Sequence, residues 1–394
     1  MKKQILYVML LFSFMLAGCG APSEMNAQQQ GTLCVSFINI GKGDAFLIDV
    51  FDDGFYMCDT GKEQDFNKIA RVLKMKNVNH INGIFLSHGH KDHTGNIEHI
   101  LKHFEVDKIY ISDKNDPSYR NCPIYDIAEK YQVEVIPLHS GDHLQFHDLG
   151  IDVWTPSWVD KKNENNNSLV MHMRYGNTAF LMTGDMELEE EATFLYENPE
   201  IKSDVLKLGH HGEKDATSAA LLERVSCKYA IITGNAKENP QSVNKTIKDR
   251  LAAFGVEPFY SEGDQVCIDF ISNKENVGIR YVYDKTKSSP IRIRSLDIKN
   301  QVITLENTGD KSYDISNYGI RSKHGEEWFF IPPNTILNAH DTLRIATLDS
   351  DSKMSYELLW KEHNIWDRDK LEAAVLYDQN FKKVDKMMGG YGNE

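Results

Sequence analysis

Apolar residues recur along this chain with two periods, and the switching between them predicts the architecture. Leu33, Val35 and Phe37 alternate with other residues, and apolar runs follow at 45–50 and 55–58 after glycine-bearing turns. This predicts three strands between 32 and 65. Ile69, Val72 and Leu73 then recur at helical spacing within 66–76. A buried strand is expected at 81–86, with a helix behind it marked by Ile97, Ile100, Leu101 and Phe104. The same reading gives strands at 108–112, 133–138, 144–146 and 151–154, a helix at 124–131 and a polar loop at 160–167. A hairpin turns at Gly176-Asn177 between 168–175 and 178–183. Helices at 187–196, 218–225 and 243–254 are interleaved with strands at 204–208 and 229–233, and strands at 266–270 and 277–283 close the unit. There is no strict strand-helix-strand rhythm. The pattern therefore predicts an α/β domain over 32–284, built as two sheets with helices outside.

After a linker at 285–290 the helical period disappears. Short runs at 302–306, 318–322, 328–331, 342–346, 373–377 and 383–387 are split by turn residues. That is the pattern of a small β-sandwich over 291–394. At the other end, Lys2 and Lys3 precede an apolar stretch from Ile5 to Leu16 that is too short for a stable membrane span. Leu16-Ala17-Gly18-Cys19 resembles a bacterial lipobox. Residues 1–19 are therefore expected to be a lipoprotein signal peptide, with lipid on Cys19 anchoring the exported chain to the outer face of the cytoplasmic membrane. Residues 20–31 are small and polar, as a flexible tether is.

Charge and cysteine content change this picture in two places. The formal net charge is −14 over 394 residues, with the surplus in the first domain. That argues against broad, nonspecific attraction to nucleic acid, because phosphate repels such a surface. The six cysteines include no Cys-x-x-Cys pair, which argues against a cysteine zinc site. Cys34, Cys58 and Cys267 fall in strand-like runs and read as small buried hydrophobes.

The densest chemistry follows the strand at 81–86. Ser87-His88-Gly89-His90-Lys91-Asp92-His93 places four potential metal ligands on one strand-to-helix loop. Alternate residues of an extended segment share a side, so His88 and His90 reach one ion, while Asp92 and His93, past the bend, reach a second. Imidazole and carboxylate together suit zinc or manganese. Asp185 and His210-His211 each follow a predicted strand, and strand ends on one sheet edge converge. On an extended strand end His210 and His211 point to opposite sides. Leu206, Leu208 and His210 share parity while Lys207 falls on the other face, which favours His210 as the ligand. His211 and Lys207 are then candidates for binding the anion or protonating a leaving group. Asp44, after two glycines, is divided between shaping a turn and a role in the site. His99 and His103 lie off the apolar helical face and are expected in solvent.

In order, His88-x-His90-x-Asp92-His93, Asp185 and the later histidine pair resemble the signature of the metallo-β-lactamase fold, as does Asp59 in Cys58-Asp59-Thr60-Gly61. The segments 37–45, 165–170, 181–185 and 205–212 are similar to blocks of the exported hydrolase domain of the competence protein ComEC, a resemblance covering about 32–272. Residues 303–309, 314–318 and 376–378 are similar to the lamin-tail domain, an immunoglobulin-like sandwich. The resemblance implies an αββα sandwich followed by a small immunoglobulin-like β-sandwich. It implies a hydrolase whose His88, His90, Asp92, His93 and His210 hold two divalent metal ions, zinc or manganese, bridged by Asp185, with a hydroxide shared between them. Asp59 is expected to brace the histidine loop. Asn167 or Ser168 stands where most members of the fold carry a third histidine. The implied substrate is a phosphodiester, with extracellular DNA or RNA first. Cell-wall phosphoesters, as for secreted phosphorylcholine esterases, and lactones or other carboxylic esters are alternatives. A surface binding or scaffold protein, its tail domain engaging a cell-surface partner, is the reading from another class.

Overall fold

Alternation within single strands sorts the first domain into layers. In Phe46–Val50, Leu47 faces one way and Phe46 and Ile48 the other; in Gly83–Leu86, Ile84 and Leu86 oppose Phe85. The computed structural model describes residues 31–114, 123–285, 288–323, 327–350 and 355–389. Cys19, the expected signal peptide and all but the last residue of the expected tether lie outside them.

Eight strands form the first sheet, in the spatial order Val277–Val282, Cys267–Ser272, Leu33–Ile38, Phe46–Val50, Gly54–Cys58, Gly83–Leu86, Lys108–Ser112 and Glu134–Leu138. Seven form the second: Glu257–Tyr260, Tyr229–Ile232, Val205–Lys207, Thr178–Met182, Val170–Tyr175, Leu149–Trp154 and His143–Phe146. Phe46, Ile48 and Phe85 meet Ile151, Met171, Met173 and Phe180 between the sheets. Leu47, Ile84 and Ile109 pack outward under the helices Phe66–Met75, Ile97–His103 and Ile124–Tyr131. On the far side Leu181, Leu206 and Ala230 pack under Leu188–Glu197, Ala219–Val225 and Lys245–Ala253. Each large apolar side chain removed from water is worth about 1.5–3 kcal/mol. These three interfaces therefore hold the layers together, since strand hydrogen bonds act only within a sheet. The result is the αββα sandwich that the periodicity implied.

The sheet topology also locates the chemistry. Gly54–Cys58, Gly83–Leu86 and Lys108–Ser112 run parallel, as do Thr178–Met182, Val205–Lys207 and Tyr229–Ile232. Parallel strands end along one edge of their sheet, and ligand sites form outside those carboxyl ends. Asp59, the loop 88–93, Asp185 and the 210–211 pair all follow such ends.

Several strands escaped the sequence pattern, among them Glu257–Tyr260 and Ile291–Asp297. Glu257–Tyr260 has four residues and includes Pro258, tolerated because the strand lies at a sheet edge. Ile291–Asp297 carries a legible Ile-Arg-Ile-Arg alternation and pairs with Val302–Asn307. It opens the expected sandwich, whose two four-stranded sheets enclose Ile303, Ile345, Trp360, Trp366 and Leu376.

The sandwich is docked on the first domain. Trp328, Tyr377 and Phe381 join that domain's outer apolar cluster, and Phe66 meets Trp328 and Phe381 edge-on, with both centroid distances 5.6 Å. His103, expected in solvent, packs against both Phe66 and Phe330, at 4.9 and 5.1 Å. The helix face that looked solvated is the docking face, and its partner lies too far along the chain for local periodicity to reveal. A Lys382–Asp284 ion pair (3.7 Å) and a hydrogen bond from Arg321 Nη1 to the Gln64 carbonyl (3.3 Å) add polar ties at the seam. Cys34, Cys58, Cys227 and Cys267 are buried free thiols. Among the described residues no helix is long and apolar enough to cross a membrane.

Candidate metal centre

Asp59 anchors the histidine loop. It leaves its strand in the left-handed region (φ 57°), which turns its carboxylate under the next strand end. That carboxylate accepts hydrogen bonds from Ser87 N and Ser87 Oγ, both at 2.8 Å, and lies 2.8 Å from His93 Nδ1. A carboxylate on one imidazole nitrogen fixes the tautomer and frees the other nitrogen. His93 Nε2 accordingly points at Asp185 Oδ2, 3.1 Å away. His93 sits on the one-turn helix Lys91–Thr94, which starts directly after His90 and carries Asp92 and His93 past the bend.

His88 is fully buried, and its Nε2 lies 3.0 Å from Nδ1 of the half-exposed His90. The two rings converge on one point, as the alternation predicted. Asp44 enters from the first loop of the domain. Gly43, at φ 141°, allows that approach: Asp44 N donates to Asp92 O at 3.1 Å, and a Cβ on Gly43 would stand 2.8 Å from the same oxygen. Asp44 is buried, 3.5 Å from His211 Nδ1 and 3.8 Å from His93 Nδ1, and belongs to the site rather than to a turn alone.

The strand-end parity argument for His210 is corrected. The chain is extended only as far as Leu208, and His210 and His211 then both take left-handed backbone angles (φ 44° and 55°). This turn sends His211 inward, Nε2 3.0 Å from Asp185 Oδ2 and 3.6 Å from Asp92 Oδ2. His210 turns outward to Asp215. Asp44, His93, Asp185 and His211 each offer one ligand atom, all within 4.8 Å of one another.

Lys207 is corrected too. It is buried, donates to the Gly184 carbonyl at 2.7 Å, pairs with Asp44 and lies 3.3 Å from Asp185 Oδ1. So enclosed, it reaches no leaving group; it is the resident counter-charge of the two carboxylates. Ser168 Oγ accepts from Asp185 N at 3.0 Å and so positions the Asp185 backbone. Asn167 bonds the backbone of Asp160 at both amide ends, 2.8 and 2.9 Å, and does not face the centre.

The electrostatics follow from this crowding. Burial works to raise the carboxyls of Asp44 and Asp185, but Lys207 and His211 outweigh it and hold both below the usual range. Burial likewise opposes charge on His93 and His211, but Asp185 outweighs it, so both imidazoles are pushed up, His211 to about 10. Burial, with His93 nearby, pushes His88 down. Neither Asp44 oxygen nor His211 Nε2 has an aligned hydrogen bond. They are held by ion-pair contacts alone, and a nitrogen-and-oxygen set of this kind suits a divalent cation. The residues fit such an ion.

Beside the centre a groove of about 730 Å³ runs along the domain seam, lined by Lys62, Lys91, Asp92, Glu98, Trp328 and Glu362 among others.

Comparison with known proteins places these observations. The sequence profile of the metallo-beta-lactamase superfamily matches residues 38–234, and that of the lamin tail domain matches 272–390. ComE operon protein 3 of Bacillus subtilis is 31% identical over 216 residues, 50% of this chain and 28% of that protein. Recombination protein 2 of Haemophilus influenzae is 26% identical over 274 residues, 68% of this chain and 32% of that protein. The chain thus spans about a third or less of the length of these curated relatives. Among solved structures, the metallo-beta-lactamase fold protein YhfI from Bacillus subtilis aligns at 14% identity and a TM-score of 0.42, covering 62% of this chain and 99% of that one.

Proposed function

Because the chain belongs to the metallo-β-lactamase superfamily, we propose that it is an exported, lipid-anchored hydrolase of phosphodiesters that works with two divalent ions, zinc or manganese. One observation carries this reading: a buried Asp44–His93–Asp185–His211 cluster whose ligand atoms lie within 4.8 Å of one another, adjoined by His88 and His90. Asp44, His93, Asp185 and His211 would hold one ion, and His88 and His90 the other, with Asp185 between. Bound ions of this kind make water nucleophilic near neutral pH and neutralise charge on phosphoryl oxygens.

The chain's own residues do the remaining work. Asp59 holds the His93 ring with Nε2 toward the centre. Lys207 keeps Asp44 and Asp185 ionised. Ser168 fixes the backbone from which Asp185 projects. Export and lipidation rest on the segment ending in Cys19, and the sandwich is available to a cell-surface partner. Extracellular DNA or RNA is the leading substrate class.

A second reading, a compact phosphoester of the cell wall, is favoured by the seam groove. Its Lys62, Lys91, Lys102 and Lys130 are interleaved with Glu63, Glu98, Glu327 and Glu362. A phosphate backbone gains little from such a balanced wall.

The test is hydrolysis of bis-p-nitrophenyl phosphate and of single- and double-stranded DNA, with zinc or manganese, beside the His88→Ala/Asp185→Ala double variant. Cleavage that needs metal and is lost in the variant supports the phosphodiesterase, and cutting of DNA selects the nuclease. Turnover of the small ester alone selects the compact substrate, and no turnover with either metal overturns the proposal.

A further inference from the structure

Outside the buried centre stands a second group of ligand-type side chains. His210 Nδ1 lies 3.0 Å from Asp215 Oδ1 and 3.6 Å from Glu187 Oε1, and one ligand atom of each falls within 4.8 Å of the others. Among the described residues no Lys or Arg pairs with either carboxylate, whereas neighbouring Glu213 is paired with Lys42 at 2.9 Å. Glu213 also lies 4.0 Å from His210 Nε2, so three carboxylates share one imidazole, and among the described residues only Glu213 has a fixed cation.

Asn165 supplies an independent sign. Its side chain is buried against this group, Nδ2 2.7 Å from Glu187 Oε1 and 3.5 Å from His210 Nε2, and among the described residues its Oδ1 has no hydrogen-bond partner. A half-turn of the amide exchanges the two atoms and brings the carbonyl oxygen to the face of Glu187 and His210. The group then presents an imidazole nitrogen, two carboxylate oxygens and an amide oxygen. Mixed nitrogen and oxygen donors suit zinc or manganese better than calcium or magnesium, which take oxygen.

We propose that Glu187, His210 and Asp215, with Asn165, bind a third divalent cation of the zinc or manganese type at the mouth of the site, separate from the buried centre. Glu187 is two residues past Asp185, and His210 adjoins His211. A cation there stands beside the path to the centre. It turns a rim of two uncompensated carboxylates into one that accepts an anionic part of a substrate. The role that the sequence suggested for His210, ligation, is thereby kept, but for a different ion.

The test counts metal. The full chain is stripped with a chelator and dialysed against Zn²⁺ or Mn²⁺, and the bound metal is measured by mass spectrometry. Wild type is compared with Glu187→Gln, His210→Ala and Asp185→Asn, with circular dichroism as the check on folding. Glu187→Gln and His210→Ala should each bind about one equivalent less than wild type, or bind it at least about tenfold more weakly. Asp185→Asn should lose metal from the centre and still keep the equivalent that Glu187→Gln removes. Wild-type stoichiometry and affinity in both rim variants, or loss of all metal in Asp185→Asn, overturns the proposal. Hydrolysis is not needed for the count, so failure of the proposed activity leaves this result readable.

Discussion

Replacing Lys207 with methionine tests whether the centre is built on a fixed counter-charge. The Lys207 ammonium donates to the Gly184 carbonyl at 2.7 Å, pairs with Asp44 and lies 3.3 Å from Asp185. Methionine fills much of the same space without a charge, so little of the effect comes from a cavity. The lost hydrogen bond to a charged donor is worth about 1.5–3 kcal/mol. Stranding two buried carboxylates raises the whole cost to about 3–5 kcal/mol. In metal-free protein this should lower the urea midpoint of the first domain by roughly 1 M or more. The double variant Lys207→Met/Asp44→Asn removes one stranded charge together with its partner. It should be more stable than the sum of the two single changes by about 0.5–3 kcal/mol. Circular dichroism during urea unfolding reads both quantities. A Lys207→Met midpoint equal to wild type, or strict additivity in the cycle, would refute the counter-charge argument.

Three further outcomes are expected. Trp328→Ala should undock the sandwich at a cost of about 3–5 kcal/mol, seen as greater dimensions in small-angle scattering while each domain keeps its circular dichroism. Asp59→Ala should weaken metal binding by about 10–100-fold in calorimetry, because His93 loses the partner that orients it. His103 is half-buried at the seam, and this partial burial pushes its imidazole down to about 4, below the unfolded value near 6.5. Between these values the unfolded chain binds more protons, so the stability from neutral His103 is complete above about pH 6.5 and falls as the pH drops toward 4. Thermal unfolding at pH 7 and pH 5 should therefore differ less in His103→Gln than in wild type.

The sequence was most informative where chemistry and period coincide. The strand-loop-helix around His88 to His93 is readable because a two-residue ligand spacing sits directly on a strand end, and His88 and His90 do converge. Asp59 is readable as a brace through the resemblance carried by Asp59-Thr60-Gly61. His210 and His211 were exchanged because parity holds only on an extended chain, and both residues leave it through left-handed angles that no periodicity encodes. Asp44 was half-read: its glycines permit either a turn or a close approach, and only the contact with Asp92 decides between them. Lys207 differs from its expected role because nothing in its sequence pattern separates a buried ammonium from one at a mouth. The seam was invisible for a related reason. Phe66, His103 and Trp328 each look locally unremarkable, and the surface they make exists only after two separate domains have folded.

A count of charges shows what the first domain is arranged to hold. Asp44, Asp59 and Asp185 are each at most 2% exposed, and the groups that face them are one lysine and two imidazoles. With the imidazoles neutral, three buried carboxylates stand against one ammonium, an imbalance that a folded interior does not sustain. In the metal-free chain the carboxylates push the His93 and His211 imidazoles up and burial pushes the Asp59 carboxyl up, and both shifts narrow the gap. A divalent cation requires those same nitrogens unprotonated, so metal and protons compete for one set of lone pairs, and metal uptake must release protons. Lys207 takes no part in that exchange, because its ammonium is tied to the Gly184 carbonyl as well as to the carboxylates. One share of the compensating charge is therefore permanent and holds the strand ends together, and the other share is exchangeable and is left for the ions that would do the chemistry.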